Sequence, residues 1–175
     1  MNNEMQRSSP WPAWLKVAVV GRNPRRTLLR AVVVAISAFI VFRFVLVPVR
    51  VEGESMWPTY RNRRVNLINR WAYLWHEPRR FDVVGFRLQA GPHVMLLKRV
   101  VGLPGETVEF RDGHLYIDGR RLNEPYVRTR CRWNEPPEIV RADEYYVVGD
   151  NRAMPAQNHE HGGAERRRII GKVLL

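Results

Sequence analysis

The stretch RDGHLYIDGRRL, residues 111–122, places apolar residues between two Asp-Gly pairs. Asp-Gly marks a tight two-residue turn, because both central positions need positive φ, which Gly adopts freely and Asp tolerates. The stretch therefore reads as a compact β-hairpin, and the same grammar extends outward on both sides. Short runs with period-two alternation predict strands at 47–53, 63–69, 82–87, 94–101, 106–110, 114–118, 145–148 and 169–174. GLPGE at 102–106 supplies a further turn between them. NEPPEI at 134–139 reads as a loop or the edge of an insertion. No long amphipathic helix and no internal repeat interrupt the pattern after residue 50. The fold class is mainly β: one antiparallel β-rich domain over residues 50–175.

Upstream, AVVVAISAFIVFRFVLVPV at 31–49 is 19 residues with one charge, Arg43. As a helix it rises about 28 Å, close to the roughly 30 Å hydrocarbon thickness of a bilayer. Arg43 lies near one end and can snorkel to the interface. A signal-peptide apolar region is shorter and ends in a small-residue cleavage site, which is not evident here, so a retained transmembrane helix is the reading. Residues 1–30 carry six basic side chains against one acid, Glu4, which predicts a cytoplasmic N-terminus and residues 50–175 on the far side. Trp11 and Trp14, in a segment too short to cross, suit an interfacial position.

The net charge of +12 comes almost wholly from arginine, with 26 Arg against three Lys (Lys16, Lys98, Lys172). Such an excess favours polyanions. The Arg runs at 61–64, 120–132 and 166–168 lack an interleaved aromatic platform or a recognition helix, so nucleic acid is not the expected partner. Beside a membrane they suit anionic lipid headgroups, and Trp57, Trp71 and Trp75 either dip into the interface or belong to the core. The single cysteine, Cys131, excludes an internal disulfide and a cysteine-based metal site.

Two residues stand out chemically. Ser55 lies in VEGESMWPTY, residues 51–60, immediately after the apolar run, where the alternation of 47–53 weakly extends to put it on the face of Val49, Val51 and Gly53. Lys98 shares a strand face with Leu96 and Val100 in HVMLLKRVV, where both faces are apolar, so it is expected to be at least partly buried. Burial disfavours the ammonium and lowers a lysine pKa by as much as roughly 3–5 units, which lets the amine act as a base toward a serine hydroxyl. From the residues alone, a Ser55–Lys98 dyad stands beside a plainer reading: a turn serine and a lysine snorkelling from a strand end.

VEGESMWPT resembles the nucleophile box of type I signal peptidases, the membrane-bound serine proteases that remove signal peptides from exported proteins. RFDVVGFR (80–87), LLKRVVGLPGETVE (96–109) and VVGDNR (147–152) resemble the family's following boxes, in order, and LYIDGRRLNEPYV (115–127) the hairpin between them. The resemblance implies a bacterial inner-membrane endopeptidase that cleaves after small residues of the Ala-x-Ala kind and needs no cofactor and no metal. It implies Ser55 as nucleophile, Lys98 as general base and the Ser55 N–H as oxyanion donor, with Gly53 where some members add a serine hydroxyl. Val49, Val51, Met56, Leu96 and Leu97 would line shallow substrate pockets or shield the nucleophile. Arg99 and Asp150 would form an ion pair behind the lysine, and Gly149 and Asn151 would shape the supporting turn.

One box departs from the pattern. After GDNR the chain reads AMPAQNHEHGG, so Pro155 replaces a serine that commonly hydrogen-bonds the lysine, and Gln157, Asn158 and His159 replace Asp, Ser and Arg. His159 and His161 offer too few convergent groups for a metal, and His159 is expected to be hydrogen-bonded in place of the usual arginine. The rival readings are a conjugation-type Ser/Lys processing peptidase and an inactive membrane-anchored scaffold that binds polyanions.

Overall fold

The computed structural model describes residues 23–87, 95–129 and 132–174; the proposed interfacial segment around Trp11 and Trp14, and Cys131, lie outside them. Helix α1 spans Pro24–Ile40. Its N-cap is Asn23, whose side chain accepts from the N–H of Arg26, and Pro24 occupies the first turn, where its missing N–H costs nothing. A wider π-type turn, Val41–Val45, follows. Pro24–Val45 is long and apolar enough to cross a membrane, with a mean hydropathy of 2.3 and none of it buried. The backbone is extended from Leu46, so residues 46–49 of the apolar stretch belong to a strand.

The remainder folds into two antiparallel sheets. The strands are β1 (Leu46–Arg50), β2 (Val65–Asn69), β3 (Val83–Arg87), β4 (Met95–Gly102), β5 (Thr107–Arg111), β6 (His114–Ile117), β7 (Arg120–Arg121), β8 (Glu135–Ile139), β9 (Glu144–Val148), β10 (Gly162–Glu165) and β11 (Ile169–Leu174). Seven of them form one sheet in the order β1-β2-β11-β3-β4-β9-β10, and four form the other in the order β7-β6-β5-β8. The hairpin read from RDGHLYIDGRRL is present: Asp112 and Gly113 have φ of 48° and 74°, Asp118 and Gly119 of 49° and 73°. Those are the positive-φ pairs that such turns require.

Three strands escape the alternation rule or fall short of it. β1 ends at Arg50, three residues earlier than the alternation suggests, and Gly53 turns the chain at φ 100°. Ser55 is thus carried on a turn, and the period-two extrapolation does not reach it. NEPPEI contributes β8, an exposed edge strand beside β5, where Pro136 and Pro137 can lack N–H groups without breaking an interior ladder. β10, from GGAE, pairs with β9 although it carries almost no apolar side chain.

Alternation along the central strands sorts the core. Val49, Val51, Met56, Tyr60, Ile68, Val83, Leu97 and Val173 form one buried cluster. Val84, Phe86, Val100, Tyr145 and Val147 belong to a second, with Leu96 packed against it. A third, including Val108, Phe110, Leu115, Ile117 and Trp133, backs the four-stranded sheet.

Candidate active site

Ser55 lies partly exposed in the connection between β1 and β2, while its neighbour Met56 is buried. The turn is held from inside. The N–H of Gly53 reaches Oδ1 of Asn62 at 3.3 Å, that of Trp57 the carbonyl of Glu54 at 3.0 Å, and that of Tyr60 the carbonyl of Met56 at 2.9 Å. Among the described residues no acceptor takes the Ser55 N–H, which leaves that donor available to a developing oxyanion.

Lys98 lies mid-strand in β4, paired in register with Val84 of β3, and only 2% of its surface is exposed. No carboxylate pairs with it among the described residues. Desolvation by this burial pushes its amine down to about 8, opposed in part by the negative charge of Glu160. Lys98 is therefore neutral far more often near neutral pH than an ordinary lysine, and the burial anticipated from two apolar strand faces is present.

The end of β9 joins the lysine strand to the serine turn. Arg99 pairs with Val148, so Lys98 and Gly149 come next along the two strands. A Cβ built on Gly149 would lie 2.2 Å from the Ser55 carbonyl oxygen and 2.4 Å from Nε2 of His159. Only glycine lets the backbones approach so closely. The N–H of Asn151 donates to the Ser55 carbonyl at 2.9 Å, and its side-chain amide donates to the carbonyl of Glu54 at 3.0 Å.

Asp150, fully buried, accepts Nε and a terminal nitrogen of Arg99 at 2.8 and 2.6 Å, a bidentate pair. It also accepts the hydroxyl of Thr59 from the Ser55 turn. The Arg99 guanidinium lies 4.0 Å over the ring of Tyr126 and donates to the carbonyl of Phe81 at 2.8 Å. One carboxylate thus ties the residue after Lys98 to the loop bearing Ser55. Sequence reasoning does not single out Thr59 or Tyr126; Thr59, four residues past Ser55, has only its turn position as a signal.

Of the other candidates, Val49, Val51, Met56 and Leu97 come together in one buried cluster beside the serine turn. Leu96 does not join them; alternation turns it to the opposite cluster.

The divergent segment after Asn151 has its own supports. Arg152 is buried, donates Nε to the carbonyl of Gly149 at 3.0 Å and grips Glu124 with both terminal nitrogens. The indole of Trp133 donates to the carbonyl of Met154 at 2.9 Å. His159 accepts the Gly149 N–H on Nε2 at 2.8 Å, as expected of a histidine hydrogen-bonded in its loop. Its ring meets Trp133 edge-on at 4.9 Å, and burial, followed by the charge of Lys98, pushes it down to about 3. His161 stacks on Trp133 and bonds Glu135 at 2.8 Å. Among the described residues no group of three or more His, Cys, Asp or Glu is disposed to hold a metal ion.

The chain is similar to known signal peptidases. Signal peptidase I V of Bacillus subtilis (strain 168) is 31% identical over 160 residues, covering 83% of this chain and 94% of that protein. Signal peptidase I S of the same organism is 33% identical over 143 residues, covering 74% and 76%. The crystal structure of a signal peptidase I from Enterococcus faecalis V583 aligns with a TM-score of 0.45 at 30% identity, over 56% of this chain and 97% of that one. The family model described as signal peptidase, peptidase S26, matches residues 25–175, and the chain belongs to that family.

Proposed function

We propose that this chain is a membrane-tethered serine endopeptidase in which neutral Lys98 takes the proton of Ser55 as the hydroxyl attacks the scissile carbonyl of an exported preprotein. The attack forms a tetrahedral intermediate whose oxyanion is met by the Ser55 N–H, and collapse expels the amine of the mature protein, protonated by Lys98. Water activated by the regenerated amine then hydrolyses the acyl-enzyme and frees the signal peptide. The observation that carries this reading is the buried lysine, held without a carboxylate partner among the described residues and pushed down to about 8. A lysine with no chemical task is seldom left in so costly a place.

For cleavage after a small residue, the apolar cluster of Val49, Val51, Met56 and Leu97 supplies the side chains that would meet the substrate beside the turn. The N-terminal basic excess supports a cytoplasmic N-terminus, with the peptidase domain outside the cytoplasm. Ser55 follows Val45 by ten residues of chain, at most about 35 Å when extended. A nucleophile on so short a tether suits a substrate that emerges from the same membrane. Exposed Trp57, Trp71, Leu74 and Trp75, together with the arginine excess, favour contact with anionic headgroups.

The test uses the purified full chain in detergent and a preprotein with an Ala-x-Ala site. Cleavage at that site, lost in Ser55→Ala and in Lys98→Ala, is the expected result. Retained cleavage in either variant contradicts the proposal.

A further inference from the structure

We propose that His159 is the positioning residue of this site: in its neutral form it props the Gly149 backbone against the Ser55 carbonyl and seals the Lys98 side of the site from water. The inference rests on the Ser55–Lys98 reading above and specifies how the divergent segment AMPAQNH sustains it.

Four observations converge on the imidazole. The Gly149 N–H donates to Nε2 at 2.8 Å, which fixes that nitrogen as an acceptor and places the ring proton on Nδ1. Gly149 is itself in contact range of the Ser55 carbonyl, so the ring, the glycine and the nucleophile's backbone form one stack. The ring is 2% exposed and walled by Trp133 at 4.9 Å. Finally, the charge of Lys98 acts on His159, so the ring lies within electrostatic reach of the amine.

The chemistry follows from the acceptor. An arginine at this place has donors only and cannot take the Gly149 N–H. A neutral imidazole takes it and adds no charge of its own beside the buried Lys98, whose desolvation favours the unprotonated amine. The charged and titratable groups felt by the ring are Lys98 from β4, Arg152 after β9, and His161 from its own segment; Glu160, next in sequence, acts on Lys98. A protonated His159 would lose the Gly149 bond and add a cation beside Lys98.

The experiment compares wild type, His159→Ala and His159→Gln as full chains in detergent, with preprotein cleavage followed from pH 6 to 10. Active molecules are counted with a serine-acylating inhibitor, so a smaller folded fraction is not read as a slower site. Gln carries an amide oxygen at the reach of Nε2 and can accept the Gly149 N–H. In His159→Ala, kcat is expected to fall about 10- to 100-fold with little change in KM, from misplacement of the serine. Its acidic limb should move up by about one pH unit, because water re-enters around Lys98. His159→Gln should recover kcat to within about fivefold of wild type and return the limb. An unmoved limb in His159→Ala, or His159→Gln no better than His159→Ala, overturns the proposal.

If His159→Ala does not fold, His159→Leu replaces it, keeping apolar volume without an acceptor. Activity equal to that of His159→Gln then refutes the role, and a lower kcat supports it. Ser55→Ala and Lys98→Ala run in parallel. Activity in those variants would sink the peptidase mechanism itself, whereas their silence beside an unaffected His159→Ala would sink only the positioning role.

Discussion

The N–H of Asn151 donates to the carbonyl oxygen of Ser55 at 2.9 Å, so the end of β9 and the serine turn are fastened at Ser55 itself. Together with the Arg99–Asp150 pair and the Thr59 hydroxyl, this contact makes the lysine strand, the serine turn and the end of β9 one mechanical unit. Disturbing any one of these ties should be felt at the others.

Gly149→Ala inserts a methyl group that meets backbone at 2.2 Å on one side and the His159 ring at 2.4 Å on the other. Neither neighbour is the free end of a flexible chain. The variant should lose about 1–3 kcal/mol of stability in a denaturant titration and about 10- to 100-fold in kcat. Wild-type kcat in Gly149→Ala would show that the close approach to Ser55 is not needed.

Asp150→Ala strands the buried guanidinium of Arg99 and releases Thr59. Removing one partner of a buried pair costs roughly 3–5 kcal/mol, so the midpoint of urea unfolding should drop sharply. A shift of under about 1 kcal/mol would mean that Tyr126 and the Phe81 carbonyl suffice to hold Arg99.

Much of this unit is legible in the sequence. The Asp-Gly turns give the hairpin outright, and the two apolar strand faces around Lys98 announce its burial. β8 and β10 are not legible, because Pro136-Pro137 and Gly162-Gly163 are loop signals whose strand pairing depends on a neighbouring edge. The turn carrying Ser55 is hidden for a similar reason: alternation describes a strand but does not say where it stops, and Gly53 stops β1's extension. His159 is visible as an oddity. Its acceptor role is not, since the Gly149 N–H comes from ten residues away, across a turn.

Lys98→Met should make the protein more stable while abolishing cleavage. The folded-state pKa near 8 lies below the unfolded value of 10.5, so the unfolded chain binds more protons between those values. Wild-type stability therefore rises with pH across that window, and the full burial cost applies below it. The variant should gain roughly 1–3 kcal/mol at pH 7, with the advantage shrinking as pH approaches 10.5. Equal stabilities at pH 7 in a thermal or urea titration would contradict the burial cost.

Acid should unfold the wild type partly through His159, held neutral with a pKa of about 3 against 6.5 in the unfolded chain. Between those values the unfolded state binds the extra proton, so stability falls as pH falls, by up to about 1.4 kcal/mol per pH unit. His159→Gln should flatten that slope by up to one proton. An identical slope in both proteins would show that His159 does not carry this proton.

In the proposed mechanism Lys98 acts as the base only after it loses its proton, and the pH dependence of kcat/KM for preprotein cleavage by the full chain tests this most directly. The expected profile has an acidic limb with its midpoint near pH 8, set by one deprotonation, and Lys98→Ala shows no detectable rate. A rate independent of pH between 6 and 9, or a Lys98→Ala enzyme with the wild-type profile, would contradict the role of Lys98.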